Sequence, residues 1–222
     1  MNTSLTGKIR SLGAGLRALL VLTIVTGVLY PLAVTGVSQL LLPGRANGSE
    51  VRSDGRVVGS SLIGQSYTLP LKKGQETAEP DLRWFQGRPA AGLGTNTENT
   101  RYSLLLSGAT NLAADNKILV RRVEDAKAAV VRDNSVPGRP VRPADVPADA
   151  VTSSGSGLDP DISPEYARLQ IHRVAAQNHL PVPEVARLVR DHTEGRALGF
   201  LGEPRVNVLE LNIALKELSA RP

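Results

Sequence analysis

The sequence predicts an α+β protein in which a single N-terminal transmembrane helix is followed by one mixed α/β extracytoplasmic domain. The first observation behind this is a run near the start, residues 18–42, that contains no charged side chain. The second is the order of patterns after it, where a β-compatible block precedes several helix-periodic blocks. Residues 43–222 are enough for one domain with a hydrophobic core.

The uncharged run from Ala18 to Leu42 is long enough to cross a bilayer. At about 1.5 Å per helical residue it extends roughly 37 Å, against a hydrocarbon core of about 30 Å. A cleaved signal peptide is the alternative, because Ala46-Asn47-Gly48 is a passable cleavage site. The apolar part of a signal peptide is about 7–15 residues, which is shorter than this run. We therefore expect an uncleaved anchor.

The flanking charges predict the orientation and exclude a nucleic-acid partner. Lys8, Arg10 and Arg17 precede the span without any acidic residue, which leaves a net charge of +2 for the rest of a chain whose total is +5. A short basic start usually stays in the cytoplasm while a long following domain is translocated. We therefore expect residues 1–17 in the cytoplasm and residues 43–222 outside.

The remaining charges form no basic block typical of nucleic-acid binding.

The first two blocks of the domain predict two strands and a helix. Residues from Gly55 to Tyr67 are β-compatible and indicate two short strands. Asn116 to Arg132 has helical periodicity, with Asp115 as the expected N-cap. One face of this helix should carry the residues spaced for it, Leu119, Val123, Ala126 and Val130.

The last block predicts three amphipathic helices. Ser163 can cap a helix that begins at Pro164 and places Tyr166, Ile171 and Val174 inward, with Pro181 as its stop. A second helix should run from Pro183 to near Gly195, with Val185, Leu188, Val189 and His192 on one face. A third should begin near Val208 and bury Val208, Leu211, Leu215 and Leu218. The stretches 72–100 and 134–147 look irregular.

Motifs of common catalytic sites are absent from the sequence. It contains no phosphate-binding P-loop, no His-Glu-x-x-His pair, no Gly-x-Ser-x-Gly elbow and no cysteine. His172 and His179 could share a helix face, but no carboxylate at a ligand spacing completes a metal site. We predict neither a catalytic residue nor a metal site in this chain.

One loop stands out as a candidate binding site. Ser154, Gly155, Ser156 and Gly157 lie in a run of hydroxyls and glycines that leads into the Ser163-Pro164 helix start. Successive backbone N–H groups before a helix N-terminus can hold an anion or a phosphate. The alternative is a loop whose small residues let two elements approach closely.

The span itself contains candidate interface residues. Pro31 removes one backbone donor near the middle of the helix and can kink it. Gly27 and Gly36 offer places where a neighbouring helix could approach, and Tyr30 lies beside the proline. The two glycines are not spaced as a Gly-x-x-x-Gly pair, so incidental glycines are the alternative.

Seven motifs in order resemble the KdpC family of subunits of the bacterial Kdp potassium-transporting ATPase. They are Tyr30-Pro31, residues 59–65, Gly87-Arg88-Pro89, residues 107–112, residues 152–164, residues 170–175 and residues 202–212. The stretch from Leu93 to Leu106 departs from the family pattern.

The resemblance implies an accessory subunit beside a channel-like potassium-translocating subunit and a P-type ATPase subunit. The chain lacks the Asp-Lys-Thr-Gly phosphorylation sequence, in agreement with a non-catalytic part. The family is also described as a catalytic chaperone that raises the ATP affinity of the ATPase subunit, with a nucleotide contact at the position of Gln170. An outside domain cannot reach cytosolic ATP, so we expect ATP and potassium to be handled by the complex and no cofactor to be bound by this chain.

Two functions from different classes remain open at this point. The first is an assembly and regulatory subunit of a potassium pump, embedded in the bilayer, whose outside domain caps the mouth of the translocating subunit. The second is a membrane-anchored extracellular enzyme or binding module, which the glycine-hydroxyl loop would serve.

Overall fold

The computed structural model describes residues 5–75, 78–89, 94–95 and 105–220 of the chain. The chain forms two compact units, Met1–Glu50 and Val51–Pro222. The predicted architecture is confirmed, because one apolar N-terminal helix precedes a domain of mixed helices and small sheets.

The N-terminal unit is one long helix with a π-helical turn in it. Helix α1 spans Leu5–Ile24, the π turn spans Val25–Leu29, and helix α2 spans Tyr30–Leu41. The stretch Gly7–Leu41 is long and apolar enough to cross a membrane. A short helix α3, Pro43–Ala46, follows it.

A β-hairpin opens the second part of the chain, and it corrects one prediction. Strands β1 and β2 cover Glu50–Ser53 and Arg56–Ser60, so only β2 lies inside the predicted block 55–67. The turn between them is Asp54-Gly55, with φ of 51° and 75°. An Asp-Gly pair is a strong hairpin signal because this turn needs positive φ at both positions. The first strand therefore precedes the glycine.

Helix α4 spans Lys117–Asn134, and its N-cap differs from the predicted one. The side chain of Asn116, not that of Asp115, accepts a hydrogen bond from the Ile118 N–H at 2.8 Å. Only the side chain of the residue directly before the first helical turn can reach its free N–H groups. The predicted inward face is confirmed, because Val130 is buried and the other three residues are partly buried.

The three C-terminal helices are confirmed with shifted ends. Helix α5 spans Pro164–Gln177, α6 spans Val182–Asp191 and α7 spans Val208–Ser219. The Ser163 side chain caps α5 by accepting from the Tyr166 N–H at 3.0 Å, as predicted. Helix α5 ends before Pro181, and α6 ends before Gly195.

Very short strands, which the sequence did not predict, connect these helices. Strands β5, Asp161–Ile162, β6, Thr193–Glu194, and β7, Arg205–Asn207, form an antiparallel sheet in the order β5-β7-β6. Strands of two or three residues are too short to show an alternating pattern. Within the stretches predicted to be irregular lie strand β3, Gly94–Thr95, and a 3₁₀ turn at Pro143–Asp145. Strand β4, Leu105–Leu106, which pairs with β3, and a second 3₁₀ turn at Ala148–Ala150 lie just beyond them. Most of 93–106 lies outside the described residues.

One core lies where helices α4 to α7 meet the three-stranded sheet. Its fully buried members include Phe85, Val174, Val185, Val206 and Leu215. Phe85 belongs to no helix or strand, and it lies in an irregular segment, residues 81–89, part of which is buried in the core. Its backbone polar groups need partners there, because burying them unpaired is costly.

Candidate functional site

Side-chain amides from two helices hold the irregular segment in the core. Asn212 of α7 accepts a hydrogen bond from the Phe85 N–H and donates one to the Phe85 carbonyl, both at 2.9 Å. Gln170 of α5 does the same at the next residue, accepting from the Gln86 N–H at 2.7 Å and donating to the Gln86 carbonyl at 3.0 Å. Each amide therefore replaces the neighbouring strand that this segment lacks.

Gln170, the residue that the resemblance connects with nucleotide, is completely buried, with 0% of its surface exposed. Its Oε1 atom also accepts a hydrogen bond from Nη2 of Arg173 at 2.6 Å. The carbonyl oxygen of the amide thus has two donors and its nitrogen has one acceptor. The nucleotide contact stays a prediction, and the geometry gives the same side chain a structural task.

Arg173 is the charged centre of this network and is only 2% exposed. Its guanidinium donates to the Asn134 side chain at 2.9 Å, to the Trp84 carbonyl at 3.0 Å and to the Leu82 carbonyl. No carboxylate of the described residues forms an ion pair with it. Four of its five N–H groups therefore have neutral acceptors, counting the bond to Gln170.

Burial shifts the pKa values of two groups in this part of the core. Desolvation lowers the pKa of Arg173 to about 10, which still leaves it protonated at neutral pH. Desolvation also raises the pKa of the Tyr166 hydroxyl to about 12, so it stays neutral. Both groups line a cavity of about 200 Å³ between α4 and the irregular segment, together with Asp133 and Asn134.

The glycine-hydroxyl loop is closed by bonds within the domain. Ser154, only 2% exposed, donates its N–H to the Pro89 carbonyl at 3.0 Å, and its Oγ accepts from the Asp159 N–H at 3.2 Å. The Gly157 N–H donates to the Ser154 carbonyl at 3.3 Å, and the Leu158 N–H donates to the Ser156 Oγ at 3.1 Å. These four N–H groups of the loop and its end therefore already have acceptors within the domain.

The end of the same loop is joined to two distant parts of the domain. Arg88 donates from Nη1 to Oδ2 of Asp159 at 2.8 Å, and both side chains are partly buried. The Gly64 N–H donates to the Leu158 carbonyl at 2.7 Å. A Cβ atom on Gly64 would collide with the Asp159 carbonyl oxygen. The close approach at this point is made possible by Gly64, which lies outside the glycine-hydroxyl loop, whereas a Cβ atom on Gly155 of the loop would meet nothing within 4 Å.

The two histidines named in the sequence analysis lie in different environments. His172 on α5 is partly buried, and burial, with a smaller effect of Arg139, lowers its pKa. His179 is exposed with φ of 56°. Within the described residues, no group of three or more His, Cys, Asp or Glu side chains could hold a metal ion.

The candidate interface residues of the span fall on different sides of the helix. Gly27 lies in the π turn, and Tyr30 and Pro31 begin α2. Gly36 comes nine residues after Gly27, about two and a half helical turns, and therefore faces a different direction. A Cβ atom on either glycine would meet nothing within 4 Å.

Sequence reasoning missed three residues of the core network: Arg173, Asn212 and Asn134. One pattern in the sequence indicates that Arg173 lies on a buried helix face. Tyr166, Gln170, Arg173 and Val174 follow helical spacing, so two long polar side chains interrupt the face that carries apolar residues. Polar residues on a buried face need fixed partners.

Comparison with known proteins gives one consistent result. The KdpC family, described as the K+-transporting ATPase c chain, matches residues 12–217. The potassium-transporting ATPase KdpC subunit of Streptomyces coelicolor is 75% identical over 220 residues, which covers 99% of this chain and 98% of that protein. The KdpC subunits of Streptomyces avermitilis and Gemmatimonas aurantiaca are 73% and 46% identical, covering 99% and 92% of this chain and 99% and 94% of the relatives.

We expect a single methyl group to test the close packing of Gly64 against the end of the loop. Gly64→Ala should lower the free energy of unfolding by about 1–3 kcal/mol, because its Cβ atom meets the Asp159 backbone. Gly155→Ala is the matched control: its Cβ atom meets nothing within 4 Å, so it should leave stability nearly unchanged. Chemical denaturation of both variants measures this. Equal stability of the two would contradict the packing role.

Proposed function

Because this chain belongs to the KdpC family of K+-transporting ATPase c chains, we propose that it is a non-catalytic accessory subunit that holds the pump complex together. The observation that carries the proposal is a match along nearly the whole chain, span and domain together. An accessory subunit needs an anchor and a stable body. The Gly7–Leu41 helix supplies the first and the core around Phe85 supplies the second.

The partners in this proposal are the potassium-translocating subunit and the P-type ATPase subunit of the same complex, with the bilayer around the span. The chain has no Asp-Lys-Thr-Gly sequence, so it has no phosphorylation site of the P-type kind. The side chains that could suggest chemistry, Gln170 and Ser154, are buried and bonded within the domain. They support a rigid body rather than a reaction centre.

The proposed topology places residues 1–17 in the cytoplasm, residues 18–42 in the membrane and residues 43–222 outside. Its support is the short basic start before the first span. The core of the domain has no disulfide and is held by burial and hydrogen bonds instead, which suits either compartment.

Co-purification tests the proposed function directly. Affinity purification of the tagged chain from native membranes should recover two further chains, one channel-like and one with a P-type phosphorylation sequence. Recovery of the chain alone, at detergent concentrations that keep other membrane complexes intact, would favour the second function, an anchored extracellular enzyme or binding module.

The topology can be tested with protease on intact spheroplasts. We expect cleavage after about residue 45, the outer end of the span, and protection of the first 17 residues. A tag at each terminus reports the two results separately. A domain that is digested only after the membrane is opened would contradict this orientation.

Gln170 can be tested for its two possible roles at once. Gln170→Ala leaves the buried Gln86 N–H without its acceptor, so we expect a loss of about 1–3 kcal/mol in the free energy of unfolding. The ATP dependence of the assembled pump should not change, because a domain outside the membrane does not meet cytosolic ATP.

Gln177→Ala is the matched control, since Gln177 lies on the same helix but is exposed. It should change neither stability nor ATP dependence. A selective rise in the ATP requirement of the Gln170→Ala pump, without a loss of stability, would support the nucleotide contact and the chaperone role instead.

A further inference from the structure

The hydrogen-bond ladder of the span is interrupted just before Pro31. The Tyr30 N–H donates to the Val25 carbonyl, five residues back, instead of to the Thr26 carbonyl, four residues back. This shift defines the π turn at Val25–Leu29. π turns of this kind often occur at functional sites.

The shift leaves the Thr26 carbonyl without a backbone donor. Its regular partner, the Tyr30 N–H, is used by Val25, and the next residue, Pro31, has no N–H to offer. The Gly27 carbonyl also loses its regular partner, because that partner would be the N–H of residue 31. Two neighbouring carbonyl groups are therefore deprived of their usual donors.

The side chains near these carbonyls do not replace the missing donors. The Thr26 hydroxyl donates to the Leu22 carbonyl, four residues back, at 2.7 Å. It therefore does not donate to the carbonyl of Thr26 or Gly27. No side chain of the described residues donates to the carbonyl of Thr26 or Gly27.

The position of these carbonyls makes the deficit costly. Thr26 lies eight residues inside the uncharged run that begins at Ala18, about 12 Å along the helix from its start. Water is scarce at that depth, and an unpaired backbone group in hydrocarbon is strongly unfavourable. A donor from outside this helix would remove the cost.

We propose that a transmembrane helix of a partner subunit packs against the Gly27–Tyr30 face and donates a side-chain hydrogen bond to the Thr26 carbonyl. The donor would be a serine, threonine, asparagine, glutamine or tyrosine, the neutral side chains that bridge helices in membranes. This inference rests on the proposed function, because it requires a multi-subunit complex.

The shape of the face fits such a neighbour. Gly27 has no side chain, and a Cβ atom placed on it meets nothing within 4 Å, so another helix can approach the backbone there. Tyr30 is exposed and follows by three residues, which places it next to Gly27 on the helix surface. Gly36 offers the same opening on a different side, away from the carbonyls.

The two glycines make a matched pair for the test. In the full complex purified from membranes, Gly27→Leu should reduce the recovered partner subunits about three- to tenfold, the scale of one lost helix–helix contact with its hydrogen bond. Gly36→Leu adds the same side chain and should leave the recovery unchanged. Pro31→Ala supplies an N–H for the Gly27 carbonyl, so the helix can become regular and the Tyr30 N–H can return to the Thr26 carbonyl. This variant should also reduce recovery, because the Thr26 carbonyl then no longer lacks a donor.

A labelling experiment covers the case in which a variant fails to accumulate. The chain has no cysteine, so a single introduced thiol is unique in it. In the purified complex, the thiol of Gly27→Cys should react with a maleimide at least about tenfold more slowly than the thiol of Gly36→Cys. In the separated chain the two should react alike.

Equal recovery with Gly27→Leu and Gly36→Leu, together with equal labelling in the complex, would overturn the inference. So would slow labelling of Gly27→Cys in the separated chain, since that indicates pairing between copies of this chain. If the unaltered chain recovers no partner subunits at all, the proposed function fails first. Recovery by the unaltered chain with no difference between the variants rejects the inference alone.

Discussion

The buried guanidinium of Arg173 is the constraint on which the domain depends. A charge in the core costs several kcal/mol unless its N–H groups are bonded, and here the acceptors are carbonyl oxygens and side-chain amides rather than a carboxylate. Those acceptors come from α4, α5 and the irregular segment. Arg173 can therefore be buried only when all three are in place, which links the helices to a stretch of chain that has no regular structure of its own.

The amides of Gln170 and Asn212 complete that arrangement. Each bonds to both backbone groups of one residue in the irregular segment, so Phe85 can enter the core without leaving its N–H and carbonyl unpaired. The same bonds use the groups that would otherwise recognise a ligand. The Gln170 side chain thus has three internal hydrogen-bond contacts, which give it a structural role in the core.

Polar groups in the apolar N-terminal helix also need hydrogen-bond partners, but this helix does not supply all of them itself. Inside the domain every buried side-chain polar atom of the described residues has a partner. In the membrane helix, Pro31 and the π turn leave the Thr26 carbonyl without a backbone donor. The buried side chains of the domain thus find their partners within it, while the N-terminal helix has carbonyl groups at Thr26 and Gly27 that lose their usual donors. This difference agrees with a chain that works as one subunit of an assembly.

The sequence by itself determined the long apolar N-terminal helix, the four longer helices of the domain and the Ser163 cap, because these depend on composition, spacing and local bonds. It also determined the family, through motifs that cover nearly the whole chain. It could not show that Gln170, Arg173 and Asn212 meet at one segment, since Asn212 is separated from Phe85 by 127 residues. Nor could it show the strands β5 to β7, which exist only because they pair with one another. Long-range contacts carry no local pattern, so only the tertiary structure showed which internal hydrogen bonds Gln170 and the glycine-hydroxyl loop make.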